Sequence, residues 1–104
     1  RKEKIRKPAL TELLQAALKD DTDGIGFIVS TNIDSNAEQY EWFKGSNSDP
    51  TKTDVISEMK LYKTTTKTPF VDDDVFKGVR YFYKVRAINA AGEGPWSEAV
   101  SRVQ

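Results

Sequence analysis

Ten residues near the C-terminal end, Arg80 to Asn89, alternate as a half-buried β-strand does. Tyr81, Tyr83, Val85 and Ala87 fall on one side, and Phe82, Lys84, Arg86 and Ile88 on the other. Successive side chains of a strand point to opposite faces, so the first row is expected in a core and the second on an outer face. Ala90 to Pro95 holds two glycines and a proline and reads as a hairpin loop, and Glu98 to Val103 as a closing strand.

Earlier segments follow the same rhythm. Ile25 to Ser30 reads as a strand with Ile25, Phe27 and Val29 on one face. Gln39 to Lys44 is the next strand, and Gly45 to Thr53, rich in Gly, Ser, Asn, Asp and Pro, a loop. Glu58 to Lys67 fits one or two exposed strands whose lysines suit a sheet edge, because like charges there discourage edge-to-edge pairing. Pro69 breaks that run, and Asp72 to Asp74 leads into a corner. Short strands at this spacing, separated by turns, predict an all-β antiparallel sandwich of about seven strands. One segment dissents. Leu10, Leu13, Leu14, Ala17 and Leu18 lie on a helical stripe, within residues that favour helix. The surrounding pattern would instead make residues 9–19 the first strand, and an extended segment is the reading adopted.

A chain of 104 residues is enough for one core. We expect a domain over residues 9–104, preceded by a linker or N-terminal arm over residues 1–8. That arm carries five of the 16 basic residues against one of the 16 acids, so the body is mildly acidic. A nucleic-acid reader would show a basic face on the folded body, and none is expected. No run of 18 apolar residues is present, so no membrane insertion is predicted, and no signal-peptide pattern is visible. The first residue is Arg1 and not Met, as expected of a processed or excised segment.

The run Val75 to Glu98, VFKGVRYFYKVRAINAAGEGPWSE, closely resembles fibronectin type III domains in their E–F corner, strand F, F–G loop and start of strand G. The resemblance implies that Tyr81 is the tyrosine corner, its ring in the core and its hydroxyl bonded to the backbone of the corner. It implies that Val75 plugs the corner from below, and that Tyr40 and Trp42 of strand C face the core. Trp42 would supply the bulk that the family usually takes from a strand B tryptophan, since Thr31 stands near that place. It also implies separate A-B-E and C-C′-F-G sheets.

Three side chains are candidates for a ligand or docking face. Phe43 and Phe82 lie between inward positions on strands C and F, which the resemblance implies are neighbours in one sheet. Both rings are expected on its outer face, near each other, where they could stack on sugar rings or seat a neighbouring module. The alternative is that stems of Lys44, Lys84 or Arg86 cover them. Trp96 follows the F–G loop; either it stacks on Arg86 or Lys84, at about 0.5–1 kcal/mol, or it contacts a ligand. No Arg-Gly-Asp tripeptide and no Asn-x-Ser/Thr sequon occurs.

Other chemistry has little to work with. Asp21, Asp23 and Gly24 overlap the end of an EF-hand loop, but Lys19 and Ser30 occupy its first and twelfth positions. Asp72 to Asp74 is read as a solvated corner in which one aspartate caps a turn. With no histidine or cysteine, no nucleophile elbow and no phosphate loop, neither a catalytic nor a metal nor a cofactor site is expected. The sequence therefore reads as a non-catalytic accessory module, a spacer and protein-interaction unit of a larger extracellular, cell-surface or virion protein. Its partners would be neighbouring domains of the same chain or another protein. A carbohydrate-binding module using the exposed aromatics, with a polysaccharide ligand, is the alternative.

Overall fold

The computed structural model describes residues 17–20, 26–32, 37–53 and 59–104. The expected arm over residues 1–8, the larger part of the helical stripe and Asp21, Asp23 and Gly24 lie outside the described residues. Eight strands are formed among those described: β1 (Ala17–Asp20), β2 (Phe27–Ser30), β3 (Gln39–Asn47), β4 (Lys60–Thr65), β5 (Phe70–Asp72), β6 (Arg80–Asn89), β7 (Gly92–Glu93) and β8 (Val100–Val103). They make two antiparallel sheets. One has the order β1-β2-β5; the other runs β4-β3-β6-β7, with β8 also paired to β6.

The end of the ambiguous first segment is extended. Ala17 to Asp20 pairs with β2, Asp20 standing opposite Phe27. Strand β3 runs three residues further than its sequence suggests, because Gly45, Ser46 and Asn47 keep pairing with Phe82, Tyr81 and Arg80 of β6. Small polar residues read as loop in isolation, but a long partner strand holds them extended. The three-residue β5 was not legible as a strand, being too short to show alternation. The closing strand begins at Val100, two residues later than expected, and the short β7 forms inside the stretch read as a hairpin loop, before Pro95, which has no N–H to donate to the ladder.

The inward row of β6 forms the centre of the core: Tyr81, Tyr83, Val85 and Ala87 are all buried. Phe27 of β2 meets Tyr81 and Tyr83 edge-on, with ring centroids 6.1 and 6.2 Å away. Trp42 of β3 meets Phe70 of β5 at 5.0 Å. Each of these contacts joins one sheet to the other. Trp42 is fully buried, and its indole N–H donates to Thr65 Oγ1 at 2.9 Å, so its polar edge is satisfied at the margin of the core.

Both ends of the corner between β5 and β6 are fixed by named residues. Val75 lies in the core cluster. The Tyr81 hydroxyl accepts a hydrogen bond from the Phe76 N–H at 2.8 Å. Gly78 turns the chain at φ 81°, a conformation costly for any residue with a Cβ. Gln104 then closes this end, its side-chain amide donating to Gly26 O at 3.1 Å and its side-chain carbonyl accepting from Gly26 N–H. Gly26 packs closely: a Cβ there would lie 3.0 Å from Asp72 O, tighter than ordinary van der Waals contact.

Candidate functional site

Two clusters of side chains stand apart from the ordinary core. The first lies between the sheets, at the end near the corner. Asp72 closes β5 and points inward, and its side chain has no solvent exposure. Lys44 Nζ sits 2.8 Å from its Oδ2 and also donates to Asp74 O at 2.7 Å. The Tyr83 hydroxyl donates to Oδ2, the Tyr62 hydroxyl to Oδ1 at 2.8 Å, and the Asp74 N–H to Oδ1 at 2.9 Å. The ammonium also lies 4.4 Å from the Tyr62 ring centroid and 5.0 Å from that of Tyr81.

This geometry corrects two expectations. Lys44 does not cover the outer face. Trp42 and Lys44 have the same parity on β3, and Lys44 pairs with inward-facing Tyr83. Asp72 to Asp74 is not a uniformly solvated corner either. Asp73 and Asp74 are exposed, but Asp72 is buried and receives the turn's N–H. Burial alone would push the Asp72 carboxyl up. Hydrogen bonds from Lys44, Tyr83 and Tyr62 outweigh that effect and hold it below the usual carboxylate range. Burial, followed by the adjacent Asp72 charge, pushes the phenols of Tyr83 and Tyr62 well up.

Tyr62 reaches this cluster through a bulge. Trp42 pairs with Lys63, but the next residue, Phe43, pairs with Leu61. One residue of β4, Tyr62, is left without an opposite number. In an unbroken ladder it would face Phe43 on the outer side; the extra residue turns it inward onto Asp72. No sequence feature marks the bulge.

The second cluster is the outer face of the larger sheet. Phe43 and Trp96 are brought together, ring centroids 4.6 Å apart and planes at 65°. Lys84 Nζ lies 4.5 Å and Arg86 Cζ 4.4 Å from the Trp96 ring centroid. Arg86 in turn pairs with Glu41 at 2.8 Å and with Glu93 at 3.6 Å. Phe43 and Trp96 are half-buried. Phe82 has the outward parity expected of it, but its ring is only 4% exposed and does not join them as an open surface. It sits on the central strand, opposite Gly45 of β3 and Ser101 of β8.

Trp96 is aimed outward by Ser97. Where proline interrupts the ladder, the Ser97 hydroxyl accepts from the Val85 N–H at 2.9 Å and the Ser97 N–H donates to Val85 O at 2.8 Å. Ser97 therefore takes the place of a main-chain pair, and Trp96 is left on the face above Arg86. Sequence reasoning singled out Trp96 but missed Ser97, whose burial is its only distinguishing mark. Among the described residues no three His, Cys, Asp or Glu side chains gather to hold a metal ion. Among them, too, no helix is long and apolar enough to cross a membrane.

The architecture is an immunoglobulin-like sandwich of two antiparallel sheets. More narrowly, the chain has the fibronectin type III fold. It is similar to a fibronectin type III-like protein from Clostridium thermocellum, with a TM-score of 0.69, 21% identity and 92% of each chain covered. It is also similar to the sixth fibronectin type III domain of the human fibronectin type III domain containing protein 3. That likeness has a TM-score of 0.67 and 16% identity, covering 98% of this chain and 90% of the other. A third similar structure, designated FN3tt mut, has a TM-score of 0.63 and 14% identity over 86% of this chain and 88% of its own. No family model matches the sequence, and no curated protein matches it significantly. The fold defines a domain module; the surfaces must supply its role.

Proposed function

We propose that this domain is a non-catalytic accessory module, a spacer and protein-docking unit within a larger extracellular or surface protein. One observation carries the docking part. The large apolar side chains left exposed among the described residues are Phe76 at 73%, Leu61 at 52% and Val71 at 49%. Leu61 lies on β4, Val71 on β5 and Phe76 in the corner that follows β5, and Leu61 and Phe76 line one groove. The core and the ion pair between the sheets favour a rigid body, which suits a spacer. The carbohydrate reading has less support. Sugar stacking needs an open ring face, whereas Phe82 is buried and Trp96 is already occupied by Lys84 and Arg86.

Cross-linking of the immobilised domain to proteins of its native source, with mass spectrometric mapping, tests this reading. The natural sequence is expected to retain a defined partner, through cross-links near residues 60–77. A folded Leu61→Ser/Phe76→Ser variant is expected to lose it. Retention unchanged in that variant, or retention on polysaccharide and on no protein, would overturn the assignment.

A further inference from the structure

We propose that the free edge of β4 is a docking strand for an extended, acidic segment of a partner protein. The inference rests on the protein-docking reading and deepens it by naming the surface and the partner's chemistry. Among the described residues β4 pairs with β3 alone, and no described strand pairs with its other edge. Its charge is one-sided. Within β4 the charged residues are Lys60 and Lys63, and Lys67 follows its end; the nearest acids in sequence are Glu58 before it and Asp72 to Asp74 after it. All three lysines are exposed.

Lysines on an edge have two consequences. They repel a second copy of the same edge, which would bring lysine against lysine and leave the edge unpaired in solutions of this protein alone. They attract a strand of opposite charge, which steers association and fixes its register. Main-chain pairing would then supply affinity and alternate side chains the specificity.

The bulge defines where such a strand would end. Lys63 to Thr65 keep regular pairing with β3; beyond Tyr62 the register shifts. There a groove of about 380 Å³ opens, lined by Lys44, Lys60, Leu61, Tyr62 and Phe76, with Asp74 as its one acid. Exposed Leu61 and Phe76 line it. The fitting partner is thus an extended segment with acids opposite the lysines and one bulky apolar side chain for the groove.

Amide spectra of the labelled domain test this with three probes: an alternating glutamate–valine heptapeptide, its lysine–valine counterpart, and a backbone N-methylated form of the first. The acidic peptide is expected to shift the amides of residues 60–65 and slow their exchange, and the other two to leave them unmoved. A Lys60→Glu/Lys63→Glu variant is expected to bind it about tenfold more weakly or less, as a loss of roughly 1.4 kcal/mol requires. Equal response to the lysine peptide, shifts confined to other strands, or no response would overturn the proposal. A partner cross-linked through Leu61 or Phe76 while the peptides fail would sink the edge proposal and leave the docking module standing.

Discussion

Lys44 Nζ and Asp72 Oδ2 lie 2.8 Å apart across the space between the two sheets, one on β3 and the other on β5. The pair is closed off by three tyrosines and costs desolvation that only its full set of partners offsets. Removing one member should therefore hurt more than removing both. Lys44→Met is expected to destabilise the domain by about 3 kcal/mol or more, since it strands a buried carboxylate. Lys44→Met/Asp72→Leu should cost less than the sum of the two single changes. Urea unfolding of the four proteins of this cycle gives the coupling. Additivity within about 0.5 kcal/mol would show that the pair is not a unit.

The same cluster sets the pH limits of stability. Asp72 is held below its unfolded value, so its contribution is present above the unfolded pKa. Below about pH 4 the unfolded chain takes up the proton first, and stability falls as pH approaches the lower folded value. Tyr62 and Tyr83 are raised, so their contribution is present below the free-phenol value of about 10 and lost as pH climbs above it toward the folded values. Thermal melts across the pH range should show both shoulders. Tyr62→Phe should weaken the alkaline one, and a profile unchanged in that variant would refute the assignment.

Tyr81→Phe removes the hydroxyl that accepts from the Phe76 N–H and keeps the ring in the core. The expected loss is about 1–2 kcal/mol, the cost of leaving a partly buried N–H without its partner. Exchange of the Phe76 amide should quicken in the variant by more than global destabilisation accounts for. Equal protection in the two proteins would contradict the stated role of the bond.

Phe43→Ser and Phe82→Ser should behave differently, although both positions share one face. Phe82 is buried on the central strand, and truncation there is expected to cost about 3 kcal/mol or more. Phe43 is half-buried against Trp96 and should cost about 1 kcal/mol. Only the Phe43 variant is then a clean probe of sugar binding. Affinity electrophoresis through soluble polysaccharides should show no retardation of the natural domain; retardation abolished by Phe43→Ser would restore the carbohydrate reading.

Much of this molecule is written in period-two alternation. Tyr81 to Ala87, Phe27 with Val29, and Tyr40 with Trp42 disclose their inward faces because every second residue is apolar, and the glycine and proline punctuation separates the strands. That was enough for the sandwich. Three things were settled only by the tertiary structure. Lys44 has inward parity, but charge argues for solvent until Asp72 of the other sheet stands opposite it. Phe82 has outward parity yet is buried, which alternation along its own strand does not disclose. Tyr62 faces inward only because a bulge interrupts β4. Local alternation fixes which side of its own strand a residue takes. Whether that side is wet, and whether a charge there finds a partner, depends on segments distant in sequence, here 28 residues apart for Lys44 and Asp72.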